Sequence, residues 1–181
     1  MKQTNAFELK KDIRHAQRGA SLLEIIAYLG VAAVVVYGAV SLLTQAFGGA
    51  NSNRALVEVT SLRTQVKKIY MGQAAGYGVG SMNAALVLQN AFPTTLTVTA
   101  PSTVTNSWNG GVVLTGATTT FTISYASVPA DVCSSLVSVQ GGAGWTSIAV
   151  NGAAALTPPI TPTAAGTACN VAANSIVWTT N

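Results

Sequence analysis

Side chains able to do chemistry are scarce in this chain. His15 is the only histidine, and Cys133 and Cys169 are the only cysteines. Beyond residue 20 the carboxylates reduce to Glu24, Glu58 and Asp131. No Ser-His-Asp or Cys-His arrangement can be assembled past position 15. Nothing in the sequence brings Glu58 and Asp131 together as an acid/base pair, and two cysteines without a nearby histidine do not make a zinc site. Gly76-Tyr77-Gly78-Val79-Gly80 has the glycine density of a phosphate loop. It lacks a preceding strand, a following Lys-Ser/Thr and an acidic partner, so it reads as a flexible loop. No enzymatic activity, cofactor or metal is expected. One carboxylate nevertheless stands in an unusual place.

That carboxylate is Glu24. It follows Arg18-Gly19-Ala20-Ser21-Leu22-Leu23 and opens onto 19 uncharged residues, Ile25 to Leu43. As a helix this run spans ~28 Å at ~1.5 Å per residue, close to the ~30 Å of a bilayer's hydrocarbon core. An ionised side chain at such a position is costly and is a functional candidate by default. A cut after Gly19 would give Ala20 a new α-amino group four residues before Glu24, on the same helix face. The amine of one copy could also meet the carboxylate of another in a low-dielectric bundle, where an unpaired charge is strongly unfavourable. A secretory signal places its apolar region before the cleavage site; here the order is reversed. A plain single-pass anchor with its N-terminus inside is the alternative, and it leaves Glu24 unexplained.

The charge distribution supports a leader. The net charge is +4, and residues 1–19 hold +3 of it: Lys2, Lys10, Lys11, Arg14 and Arg18 against Glu8 and Asp12. Basic residues before an apolar span mark the cytoplasmic side. Residues 20–181 carry only +1, with no basic face for phosphates, so nucleic-acid binding is not expected. Charged residues make up 8% of the chain, against about 25% in ordinary globular proteins. Thr, Ser, Ala, Val and Gly take their place, as suits a secreted, β-rich domain.

Gly19-Ala20-Ser21-Leu22-Leu23-Glu24 with its apolar run resembles the prepilin-peptidase site of type IV pilins. The Leu-rich start, the 19-residue leader and the two late cysteines resemble the type IVb branch, including pilins of conjugative thin pili. The first residue after the cut is Ala where Phe or Met is common in the family, and the run has no proline. The resemblance implies that prepilin peptidase cleaves between Gly19 and Ala20, that Ala20 is N-methylated, and that Glu24 serves subunit docking. It also implies an inner-membrane precursor, an inner-membrane assembly platform, and a homopolymeric pilus on a Gram-negative surface. On the far side of that membrane two cysteines normally form a disulfide, so Cys133–Cys169 is expected, two buried free thiols being the alternative.

The elements that would position these residues follow from pattern. After Leu43, the glycines Gly48-Gly49 mark either a helix end or a soft joint. Ala55, Val59, Leu62, Val66 and Ile69 then fall at helical steps of four and three, an amphipathic stripe. Arg54, Glu58, Arg63, Lys67 and Lys68 read as a solvated face. The chain thus divides into a leader, 1–19; a helix, 20–70, with 20–43 in the membrane and later in a filament core; and a head, 71–181. The expected class is α+β: a long N-terminal helix, membrane-spanning in its first half and amphipathic in its second, packed on an antiparallel sheet with a C-terminal disulfide-bonded region. Met82–Phe92 reads as a short helix halted by Pro93. The runs at Leu96–Val98, Val112–Leu114 and Phe121–Tyr125 read as strands of a meander, with turns at Asn109-Gly110-Gly111 and Gly116-Ala117. Pro129 starts another short helix, and Trp145–Val150 and Ser175–Trp178 read as final strands. Thr157–Gly166 and 101–111 read as exposed loops. Trp108, Trp145 and Trp178 are core anchors or surface stacking positions.

Three functions fit this organisation. The first is the major structural subunit of a type IVb pilus serving adhesion, aggregation or conjugative contact. The second is a minor pilin or type II secretion pseudopilin. The third is a membrane-anchored surface protein that never polymerises. Retention of Glu24 beside the cut favours entry into a polymer.

Overall fold

The computed structural model describes residues 21–181 apart from Ala100 and Ala143. The leader and the Gly19–Ala20 site lie outside the described residues. The chain forms two units that meet between Leu43 and Thr44. The described part of the first is the beginning of helix α1, which runs Leu22–Tyr70 for 49 residues. Gly48 and Gly49 do not end α1, whose last turn carries Lys67 and Lys68, favourably placed against the dipole.

The second unit holds the rest of α1 and, in order, β1 (Val79–Ser81), α2 (Asn83–Leu88), β2 (Thr97–Thr99), β3 (Thr103–Thr105), β4 (Val112–Ala117), β5 (Thr120–Pro129), α3 (Ala130–Gln140), β6 (Ser147–Val150), α4 (Pro162–Ala168) and β7 (Ala173–Thr180). Five strands form an antiparallel sheet in the order β1-β4-β5-β7-β6, while β2 and β3 pair separately. The expected meander therefore holds only for the β4–β5 hairpin. Alternation makes the sheet one-sided. Leu114 opposes Ile123, Ile123 and Ile148 flank Trp178, and Tyr125 opposes Ile176, all of them buried. The stripe Ala55, Val59, Leu62 and Val66 of α1 belongs to the same core, as do Val132, Cys133, Leu136 and Val137 of α3.

Several expectations change. Glu58 is not on a solvated face: it is 2% exposed, because it sits three residues after Ala55 and four before Leu62 on the edge of the buried stripe. Gly116-Ala117 lies within β4, and the hairpin turns at Thr118, which has φ 54°. A Cβ on Gly116 would collide with the Tyr77 carbonyl oxygen. That close approach reflects how the glycine-rich segment is tied to the hairpin: Tyr77 N–H donates to Thr118 O at 2.8 Å and Thr118 N–H to Gly78 O at 2.7 Å. The segment is a docked strap, not a free loop. The α2 helix stops at Leu88, before Pro93, with Asn90 at φ 51°.

The region 101–111 contains β3 and a turn organised by the buried side chain of Asn106. Its Nδ2 donates to Ala126 O at 2.8 Å, and its Oδ1 accepts from Trp108 N at 3.0 Å and Gly110 N at 2.9 Å. This turn packs on the bulge in β5, where the register shifts between Tyr125 and Val128 and both stay buried. Replacing Asn106 with Ala orphans an acceptor and two donors. The expected loss is about 2–3 kcal/mol, read as a lower urea midpoint with an unchanged slope. Thr157–Gly166 is only partly a loop. Thr161 caps α4 by accepting from Ala164 N at 3.3 Å, Pro162 occupies the first turn, and Ala165 is buried. Thr-Pro is a helix-start signal that was present in the sequence.

Candidate functional site

The first turn of α1 is built by Ser21. Its Oγ accepts the Glu24 N–H at 3.2 Å, and its carbonyl accepts from Glu24 N and Ile25 N at 2.9 and 3.1 Å. Ser-x-x-Glu is the spacing of a capping box, and a carboxylate in the first turn complements the helix dipole. Tyr28, one turn on, donates its hydroxyl to Glu24 Oε1 at 3.3 Å. Neither contact was anticipated, although the Ser21/Glu24 and Glu24/Tyr28 spacings signal both. The expected partner amine on Ala20 lies outside the described residues. Leu22–Leu43 is long and apolar enough to cross a membrane, with a mean hydropathy of 2.3 and no buried residue. An apolar surface on all sides of a helix calls for lipid or other helices.

In the second unit the structure brings Glu58 to Tyr125, whose hydroxyl donates to Glu58 Oε2 at 3.3 Å; Glu58 Oε1 is buried with no hydrogen-bond partner among the described residues. Tyr125 also meets Trp178 edge-on, with ring centroids 5.7 Å apart. Burial, then the Glu58 charge, then the hydrogen bond to it push the Tyr125 hydroxyl well above the usual tyrosine range. The folded state holds this proton where an unfolded chain releases it, near pH ~10. Stability linked to Tyr125 is therefore complete below pH ~10 and falls as pH rises beyond it. Tyr125→Phe is expected to remove that alkaline loss. At neutral pH it strands the carboxylate and lowers stability by about 1–3 kcal/mol. Melting curves of both proteins between neutral and alkaline pH measure the two effects.

The charged residues after Leu43 are more than a solvated face. Arg63 Nη2 donates to Gly144 O at 2.7 Å, and its guanidinium lies 4.9 Å from the Trp145 ring centroid. Trp145 Nε1 donates to Gln140 Oε1 at 2.9 Å, and Gln140 Nε2 reaches Leu56 O and Thr60 Oγ1 at 3.3 and 3.2 Å. Trp145 and Trp178 are core anchors, whereas Trp108 is half-buried against the core. Cys133 of α3 and Cys169, the residue ending α4, are joined in a disulfide across 36 positions. Asp131 and Glu58 are not hydrogen-bonded to each other, and no group of three or more His, Cys, Asp or Glu among the described residues could hold a metal.

The PilS N-terminal family model matches residues 49–181. The chain belongs to the PilS family. No curated relative matches it in sequence. Among solved structures, this PilS-family chain is similar to a type IV b pilin from Salmonella typhi, with 24% identity and a TM-score of 0.59 over 70% of this chain and 97% of the other. It is also similar to TcpA, a type IV pilin from Vibrio cholerae El Tor biotype, with 13% identity and a TM-score of 0.53 over 73% and 99%. The fold is that of a type IVb pilin. Its elements are an apolar N-terminal helix, an antiparallel sheet and a disulfide near the C-terminus.

Proposed function

We propose that this chain is the precursor of the major subunit of a type IVb pilus. Prepilin peptidase removes residues 1–19 between Gly19 and Ala20, and Ala20 is N-methylated. The subunit waits in the inner membrane through Leu22–Leu43 and is then passed by the assembly platform into a surface homopolymer for adhesion, aggregation or conjugative contact. One observation carries the reading: a bilayer-length helix that buries nothing within its own chain, with a carboxylate in its first turn, leads into a head of the pilin fold. A helix of this kind is stable in a bilayer and equally stable among copies of itself. Mature Glu24 then faces the α-amino group of Ala20, its own or a neighbour's, in a low-dielectric setting where the pair is favoured over two separate charges.

Intact-mass analysis of protein from sheared surface filaments tests this directly. The expected N-terminus is N-methylated Ala20, and the chain should be the most abundant filament component. An intact Met1 in the membrane fraction, with no chain in filaments, would sink the proposal.

A further inference from the structure

We infer that the surface pocket between the end of α2 and β2 is a binding site for a single neutral hexose ring, free or at the end of a glycan. The pocket has a volume of about 220 Å³ and is lined by Val87, Asn90, Phe92, Thr94 and Val98. Sites for drug-sized ligands run to about 300–1,000 Å³, so this one suits a ligand of one ring. Its frame is fixed within the chain. Asn90 N–H donates to Val87 O at 3.1 Å, Ala91 N–H to Leu86 O at 3.0 Å and Leu96 N–H to Pro93 O at 3.0 Å. Leu86, Ala91 and Leu96 are buried, and Val87 and Phe92 pack against the same core. The ligand therefore bears little of the cost of ordering its site.

The lining is amphipathic and carries no charge. Val87, Phe92 and Val98 supply apolar walls, and the face of the Phe92 ring, negative in its quadrupole, suits polarised C–H groups. The Asn90 amide and the Thr94 hydroxyl each donate and accept. Both residues stand at the surface, and neither side chain hydrogen-bonds to another described residue. A charged ligand would leave water for a pocket that offers no counter-charge. A purely apolar ring would cover the amide and the hydroxyl without giving them partners. A hexose presents what remains: C–H faces for the apolar walls, and neutral hydroxyls that both donate and accept around the ring.

The test uses the full-length chain in a detergent without a sugar headgroup. Saturation-transfer NMR probes it with glucose, galactose and mannose, each free and as its methyl glycoside. At least one is expected to bind with a Kd of about 1–10 mM, ordinary for so small a ligand. Asn90→Gly keeps the left-handed backbone at φ 51°, and Thr94→Val keeps the branched shape without the hydroxyl. Each is expected to leave melting unchanged and to weaken binding about three- to tenfold, and the double variant to abolish the signal. Phenol and glucuronate are expected to bind more weakly than the best neutral sugar. Binding of the methyl glycosides marks a glycan end as the ligand, and binding confined to the reducing sugars marks a free one. No transfer to any of these neutral sugars overturns the proposal. Sugar binding that both variants leave intact, or tighter binding of phenol or glucuronate, does the same.

Discussion

Glu24→Gln is expected to abolish entry into filaments while leaving the head as stable as before. The side chain keeps its size and its hydrogen-bonding capacity, and Gln serves a capping box as well as Glu. If Glu24 acts only at the end of its own helix, below Ser21 and beside Tyr28, the variant should polymerise normally. If its charge pairs with the Ala20 amine in a neighbouring copy, the amine enters the bundle without a counter-charge and assembly fails. Glu24→Val keeps the backbone N–H that Ser21 Oγ accepts but loses both the Tyr28 hydrogen bond and the charge, and is expected to fail as well. Glu24→Gln is the variant that separates the local hydrogen bond from charge pairing. Membrane fractions should contain both variants in ordinary amounts, since removing a charge from a span makes insertion easier. Normal filament yield from Glu24→Gln would refute the pairing.

The second large effect is expected from Cys169→Ser. The bridge closes a 36-residue separation between α3 and the end of α4, and the chain-entropy relation gives about 4 kcal/mol for a loop of that size. Both cysteines are buried, and Ala165 and Ile160 belong to the same buried core. Losing the bridge frees the short α4, which is only 7 residues long and cannot hold itself together. The expected result is a fall in melting temperature of order 10 °C and sharply fewer surface filaments. Cys133→Ser should match it, and the double variant should be no worse than either single one. An unchanged melting temperature would contradict a stabilising bridge.

How much of this was legible in sequence depended on how local the signal was. The stripe Ala55, Val59, Leu62, Val66 and the alternation Phe121, Ile123, Tyr125 were readable because each periodicity is set by a single element meeting a single surface. Resemblance to pilins is carried by residues 19–70 and by the pair Cys133 and Cys169, whereas the family match covers 49–181; the cleavage motif and the apolar run lie outside that match, and the amphipathic half of α1 and both cysteines lie within it. Glu58 was misplaced because its charge was weighed above its spacing. Its spacing from Ala55 and Leu62 puts it at the edge of the stripe, whereas its hydrogen-bond partner Tyr125, 67 positions away, is reported by no local pattern. The strand order was equally out of reach, since alternation says which face of β7 is buried but not which strands it joins. Asn106 looked like a loop residue because polar side chains that satisfy buried backbone groups leave the same composition as exposed turns.

The central place of β7 has a consequence for how the protein is made. β7 pairs with β5 on one side and β6 on the other, yet it comes after both in the chain. Until residues 173–180 arrive, β5 and β6 each present an unpaired edge, and Ile123, Tyr125 and Ile148 have no Trp178 or Ile176 to cover them. Pairings this distant in sequence form late and slowly. The apolar start of α1 is synthesised long before that moment and can be held in the bilayer while the head is still incomplete. On the proposed reading, with Leu22–Leu43 in the bilayer, the span is thus available for anchoring before the head can close, and the open edges of β5 and β6 stay exposed to other chains until β7 arrives. A chain that stops short of residue 173 should accordingly be an export-competent but aggregation-prone species.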